Sequence, residues 1–386
     1  MYKYLDDAAT TKPKPEVISI MNDYMDKYWY NPSSLYSDGE NVSTVIYGAE
    51  NTIKEFIGAK ENDHVYFTSG GSESNCWAIQ GFVKNRLDKM ITPCIITTKI
   101  EHKSIMECVK NIHLATVYYL DVDDQGFVSM QELENALSLM LDAGIQPNNI
   151  LVSIQFANNE VGTIQDVINI GNICDMYGCI FHTDAVQAFG HVFIDVDIMG
   201  IDMMSASSHK IGGCKGTGIL YVKDGIEISP IIYGSQMNGM RGGTENVPGI
   251  IGMEQAVKLV HDDWKHGADI KMKRDYFIDK LEDIGCILNG PTEHRLPNNI
   301  NIQLPYELYA ENLVYMLDLD GIKVSTGSAC NSHSIEPSHV LKAMWMTDSE
   351  IKSSIRITVP EDITMNEIDE IVNVIDKEIR VLKNDI

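Results

Sequence analysis

The sequence predicts an α/β protein: a large domain built on a parallel sheet flanked by helices, followed by a smaller domain. Three observations predict this. Short, β-branched apolar runs alternate with helical patterns up to about residue 255, the signature of successive β–α–β units. Beyond that point long helical stretches surround only a few strands. Finally, polar and glycine-rich clusters follow five of the predicted strands, where ligands sit in open α/β sheets.

The strands of the large domain are expected at His64–Thr68, Cys94–Ile100, Thr116–Leu120, Ile150–Phe156, Cys179–Thr183, Asp202–Ala206 and Gly218–Val222. They are short and rich in β-branched residues, as buried strands tend to be. Helical patterns lie between them; Val167–Tyr177, for example, has apolar residues at 167, 168, 170, 173 and 176. The smaller domain is expected to hold strands at Asn299–Leu304, Ile322–Ser325 and Ile351–Thr358. Its last helix opens on a capping-box pattern, Thr364 with Glu367, and continues with an apolar face from Met365 to Leu382.

At 386 residues, 44% of them hydrophobic, the chain can bury two cores. Its net charge of −25 argues against nucleic acid and anionic membrane surfaces as direct partners. The eight cysteines are scattered, with no C-x-x-C pair, and read as reduced thiols of a cytoplasmic protein. No apolar run approaches a membrane span or a signal segment.

Three strand ends carry chemistry. Thr68-Ser69-Gly70-Gly71-Ser72-Glu73 places backbone N–H groups and a hydroxyl where an anion could sit; the bland alternative is an ordinary turn with Ser72 as N-cap. Asp184 could pair with a protonated ring nitrogen, or simply cap a helix. Lys210, in Ser207-Ser208-His209-Lys210-Ile211-Gly212-Gly213, has room to form a Schiff base, though a solvated lysine is the common state. The set in this order outweighs each part.

With these motifs the chain resembles the cysteine desulfurases of the NifS/IscS type, within the class-V aminotransferases. The likeness runs nearly end to end. It includes Leu5-Asp6-Asp7-Ala8-Ala9-Thr10-Thr11, Asn158-Asn159-Glu160-Val161-Gly162, Gly239-Met240-Arg241-Gly242-Gly243-Thr244, Ser325-Thr326-Gly327-Ser328-Ala329-Cys330 and Ser354-Ile355-Arg356. The resemblance implies the pyridoxal-phosphate (PLP) dependent transferase fold of type I. That fold has a large PLP-binding domain (13–255) with a mostly parallel mixed sheet flanked by helices. A smaller α+β domain (1–12 and 256–386) carries the catalytic cysteine loop.

It also implies roles. Lys210 forms the Schiff base with PLP, Asp184 pairs with the ring nitrogen and His102 stacks on the ring. Asn159 and Gln187 surround the ring oxygen. Gly71, Ser72, Ser207 and His209 hold the phosphate, and Thr244 reaches the phosphate of a neighbouring subunit in a homodimer. Arg356, with Asn159, binds the carboxylate of L-cysteine. Cys330 takes the sulfur as a persulfide and passes it to an acceptor protein, for iron–sulfur assembly or thio-modification. His102 is placed to accept a proton. The small polar residues around Cys330 suit a thiol that must reach out and deliver; the other seven cysteines are expected to be buried and inert.

Other readings stay open: a selenocysteine lyase or another class-V PLP enzyme, and a non-enzymatic sulfur-carrier or assembly subunit. Intact Lys210, Asp184, His102, Cys330 and Arg356 argue against the last. Tyr36, Gln155 and Pro360 depart from the common pattern and bear on substrate preference. No metal is expected. Asp121-Val122-Asp123-Asp124-Gln125-Gly126 with Glu132 imitates a calcium loop, but follows a predicted strand rather than a helix.

Overall fold

The computed structural model describes residues 2–263, 267–326 and 337–384. Cys330 lies outside the described residues. The strands are β1 (Lys3–Tyr4), β2 (His64–Thr68), β3 (Cys94–Thr98), β4 (Thr116–Leu120), β5 (Ile150–Ser153), β6 (Ile180–Asp184), β7 (Met203–Ser207), β8 (Gly218–Val222), β9 (Ile287–Leu288), β10 (Asn299–Gln303), β11 (Ile322–Lys323) and β12 (Ser354–Thr358). The helices are α1 (Pro15–Asp26), α2 (Ser37–Phe56), α3 (Gly71–Asp88), α4 (Lys103–Lys110), α5 (Met130–Asp142), α6 (Val167–Tyr177), α7 (Val247–Asp263), α8 (Gly267–Asp283), α9 (Ala310–Leu319), α10 (His339–Ala343), α11 (Asp348–Lys352) and α12 (Met365–Asn384).

The main sheet has seven strands in the order β2-β8-β7-β6-β5-β3-β4. β8 alone runs against its neighbours β7 and β2. The cause is the connection from β7. It comprises only residues 208–217, whereas a parallel crossover needs about a dozen residues or more, usually including a helix. The chain therefore doubles back, with Lys210 in the return. Because β2 is antiparallel to β8, it points the same way as the rest. The carboxyl ends of β2, β3, β5, β6 and β7 consequently share one rim.

Alternate residues feed two faces. Ile95, Leu151, Ile180, Met203 and Leu220 meet α3 and α4 on one side; Ile96, Val152, Phe181, Met204 and Ile219 meet the helices of the other. A separate core joins α8, α9 and α12 to the antiparallel sheet β12-β10-β9. Val340, Leu341, Met344 and Ile351 pack with the first core, although they follow much of the second in sequence. β1 pairs in parallel with β11 in a two-stranded sheet of their own, which ties the amino-terminal segment to the second core.

Several strand boundaries differ from the sequence reading: β5 ends at Ser153 instead of Phe156, β11 at Lys323 instead of Ser325, and β6, β7 and β10 differ by one residue. β3 ends at Thr98 instead of Ile100, because Thr98 Oγ1 turns to accept from Ile100 N (3.2 Å) and donates to Glu101 Oε1 (2.7 Å). The strand expected from Ile351 begins at Ser354. Thr347 and Glu350 form a reciprocal capping box that draws the preceding residues into α11. At α12 the expected box forms: Thr364 N donates to Glu367 Oε2 (2.9 Å) and Glu367 N to Thr364 Oγ1 (3.3 Å). Among the described residues no helix is long and apolar enough to cross a membrane.

Candidate active site

The turn after β2 brings α3 to the rim at its first residue. Gly70 holds φ 148°, a conformation L side chains rarely adopt. A Cβ on Gly71 would lie 2.5 Å from Val186 Cγ2 and 3.7 Å from Ser207 Cβ. Glycine thus lets the helix start close against the ends of β6 and β7. The capping residue is Gly70, not Ser72, so Ser72 sits inside the first turn, where N–H groups lack intrahelical partners. Ser207 Oγ, beside this turn, is buried without a hydrogen-bond partner. Glu73 fastens the turn sideways: it accepts from Ser69 N (2.7 Å) and pairs with Arg241 through Nε (2.9 Å) and Nη2 (3.2 Å). Burial pushes its carboxyl up, but these donors outweigh that and hold it below the usual range.

Asp184 ends β6 and is not a helix cap; its Oδ1 accepts from Val186 N (2.9 Å). Its Oδ2 accepts from Asn75 Nδ2 (2.7 Å), which also donates to Ser104 Oγ (2.9 Å). Ser104 Oγ lies 2.8 Å from His102 Nδ1, and Ser104 N donates to the same nitrogen at 3.1 Å. Since the carboxylate only accepts, every step has one direction: Asn75 to Ser104, Ser104 to His102. His102 Nδ1 is therefore an acceptor, and the proton of the neutral ring sits on Nε2.

Lys210 meets the amino-terminal segment. Its Nζ donates to the carbonyls of Ala8 (2.5 Å) and Ala9 (2.8 Å). Gln187 Nε2 also donates to Ala8 O (3.0 Å), and His209 Nδ1 lies 3.1 Å from Thr10 Oγ1. Burial, with Lys210 and Lys215 nearby, pushes His209 down to about 4. From β12, Arg356 donates from Nη1 to Asn159 O (2.9 Å) and from Nη2 to Asp6 Oδ1 (2.7 Å).

Below the rim, Glu101 is buried and pushed up to about 8 by desolvation, against the donors Thr98 and Gln155 N. His182 is buried between Ser153 and Ser205 and pushed down to about 3. Both groups are thus neutral near pH 7, as burial in low dielectric requires.

Gly71, Ser72, His102, Asn159, Asp184, Gln187, Ser207, His209, Lys210 and Arg356 all line one cavity of about 330 Å³. Thr244 is exposed and does not line it. The sequence reading missed Asn75 and Ser104, which also anchor this region. Asn75 lies one helical turn beyond Ser72 on the same face, a spacing that could have marked it. It also treated Cys76 as buried. Cys76 is half-buried, its thiol lowered to about 7 by a hydrogen bond with Cys108, against burial and with help from His102.

The calcium-like loop is a strand-to-helix turn: Asp121 pairs with Lys99, and Asp123 Oδ1 accepts from the N–H groups of Gln125 (3.0 Å) and Phe127 (2.8 Å). Among the described residues no group of three or more His, Cys, Asp or Glu side chains could hold a metal.

These residues fit PLP. The start of α3 and the unpartnered Ser207 hydroxyl suit a phosphate, the acceptor-only Asp184 suits a protonated ring nitrogen, and Lys210 offers a primary amine. The comparisons agree. The profile of the class-V aminotransferases matches residues 3–371. A cysteine desulfurase IscS of Dictyoglomus turgidum is 41% identical, over 98% of this chain and 95% of its own. A NifS-like protein of known structure superposes with TM-score 0.89 at 30% identity, over 99% of this chain and all of that one. The structure of SspA in complex with cysteine does so with TM-score 0.79 at 33% identity, over 93% and 99%. With a profile match over nearly its whole length, this chain belongs to the class-V aminotransferase family of PLP-dependent enzymes.

Proposed function

We propose that the chain is a cysteine desulfurase. It converts L-cysteine to L-alanine and carries the sulfur as a persulfide on Cys330 until an acceptor protein takes it. The observation that carries this reading is the meeting of an amine (Lys210), a carboxylate (Asp184) and a buried guanidinium (Arg356) around one cavity. The chain also shares 41% of its residues with a relative named for that activity.

Bound PLP would supply an electron sink conjugated to the substrate Cα. Arg356 binds the α-carboxylate through a fork suited to bidentate contact. Lys210 Nζ takes the Cα proton, and Asp184 keeps the ring nitrogen protonated. His102 would cover the ring face, its orientation held through Ser104. Gly71, Ser72, Ser207 and His209 would hold the phosphate, and Asn159 and Gln187 would flank the ring oxygen. The Cys330 thiolate then attacks the substrate sulfur. An S–S bond forms and the C–S bond breaks, its electron pair staying with the carbon fragment. That fragment is protonated at Cβ, Lys210 returns the proton to Cα, and it leaves as L-alanine.

We further assign 13–255 to the PLP-binding domain and 1–12 with 256–386 to the smaller one. Exposed Thr244 suits a contact with the phosphate of a second subunit in a homodimer. The net charge of −25 and the free cysteines among the described residues suit a cytoplasmic protein that acts on a small molecule and a protein acceptor.

The test follows alanine and sulfide together from L-cysteine with dithiothreitol. Wild type should release both in equal amounts. Cys330→Ala should keep the yellow cofactor and lose both products. Lys210→Ala should lose the cofactor's characteristic absorbance along with activity. Alanine formed at the wild-type rate by Cys330→Ala would refute the assignment of Cys330.

A further inference from the structure

Arg356 is 2% exposed, and a buried cation costs free energy unless it is paired and hydrogen-bonded. Two of its nitrogens meet that demand within the protein: Nη1 donates to Asn159 O (2.9 Å) and Nη2 to Asp6 Oδ1 (2.7 Å). Nε is buried without a partner. Burying such a donor has a cost that an incoming acceptor removes, and Arg356 lines the cavity.

Asp6 is held as firmly as the arginine. Leu5 N donates to Lys323 O (2.9 Å), and Thr358 N to Leu5 O (2.8 Å), so the segment lies between β11 and β12. The carbonyl of Asp6 accepts from Ala9 N (2.9 Å) and Tyr4 OH (3.2 Å), closing a turn around it. These bonds fix the Asp6 backbone, so its carboxylate moves relative to the guanidinium only by side-chain rotation.

We propose that Asp6 is a positioning residue for the amino-acid substrate: it fixes the plane of the Arg356 guanidinium so that its remaining N–H groups receive the α-carboxylate. This rests on the reading of Arg356 as the carboxylate-binding group. Arg356, unlike a residue serving only to join the two sheets, also lines the cavity. Two effects oppose each other. Asp6 orients the fork, but its charge also repels an approaching carboxylate. Orientation dominates, because without Asp6 the guanidinium keeps a single tether, to Asn159 O, and bidentate recognition depends on a fixed plane.

The experiment uses the PLP-loaded protein with Asp6→Asn, Asp6→Ser, Asp6→Glu and Arg356→Lys. It measures KM and kcat for L-cysteine. It also measures calorimetric binding of L-alanine and of cysteamine, which is cysteine without its carboxylate. Asp6→Asn should raise the L-cysteine KM and the L-alanine Kd about tenfold, the loss of one charge-assisted contact, with kcat nearly unchanged. Cysteamine binding should not move, and Asp6→Glu should recover part of the loss. Asp6→Ser should give the same split if Asp6→Asn does not fold.

Equal weakening of L-alanine and cysteamine would make Asp6 merely structural and overturn the proposal. An unchanged or lowered KM would overturn it too, the lowered value marking Asp6 as a competitor of the substrate. If Arg356→Lys raises KM while Asp6→Asn does not, the proposal falls and the reading of Arg356 stands. If neither changes it, both fall.

Discussion

Asn75 shows what one side chain can organise. Its amide nitrogen has two hydrogens; one goes to Asp184 and the other to Ser104, which turns its own hydroxyl to His102. The carboxylate and the imidazole thus share a single support, and the tautomer of His102 follows from it. Asn75→Ala should weaken PLP binding roughly 10–100-fold, the scale of a hydrogen bond to a charged group. Equilibrium titration of the cofactor-free protein measures this, and circular dichroism should show an unchanged fold. Asp184, Lys210 and His102 stand out in the sequence because each follows a predicted strand in a recognisable motif. Asn75 sits inside a helix among residues of every kind; its spacing from Ser72 places it on the right face, but its role shows only in its partners, 29 and 109 residues away.

At the scale of elements, α6 is an instructive case. Its apolar spacing is legible, and so are its ends: Asp166 accepts from Asn169 N (3.2 Å), and Gly178 takes the left-handed conformation at φ 72°. Gly171 inside it has no local reason to be glycine. A Cβ there would fall 2.0 Å from Met199 O, so the helix packs directly on the backbone of the loop before β7. Gly171→Ala should destabilise the protein by about 1–3 kcal/mol, the usual cost of overpacking. Urea unfolding measures this, and the activity of each folded, PLP-loaded molecule should be retained. The start of β12 failed to show in the sequence for a related reason. Ile351–Thr358 carries isoleucines at 351, 355 and 357 among polar residues, and so short a pattern cannot separate a helix from a strand; the capping box at Thr347 settles it.

For the whole molecule, the buried ionisable groups beneath the rim link stability to pH. Glu101 rises from its ordinary 4.5 to about 8, so between those values the native state binds a proton that the unfolded chain has released. Its contribution is fully present below about pH 4.5 and is lost as pH rises through about 8. His182, lowered to about 3 from 6.5, acts in the opposite sense: its contribution is present above 6.5 and is lost as pH falls towards 3. Glu101→Gln removes the first term and leaves the second. The stability of wild type relative to Glu101→Gln should therefore fall as pH rises from about 4.5 to 8 and stay constant outside that window. Urea midpoints of the cofactor-free proteins across about pH 3.5–9 (about one unit either side of the titration) measure it. A difference that does not vary with pH would mean that Glu101 is ionised in the native state.

The sequence by itself determined the order of strands and helices, the clusters at the strand ends and the family, because periodicity, capping and motif are local properties of the chain. Tertiary structure decided the rest. It reversed β8, since ten residues from 208 to 217 cannot make a parallel crossover. It brought Asp6, Ala8 and Ala9 against Arg356 and Lys210, partners about 200 to 350 residues away. Such meetings depend on how sheets and segments cross in space, and no pattern of neighbouring residues encodes them.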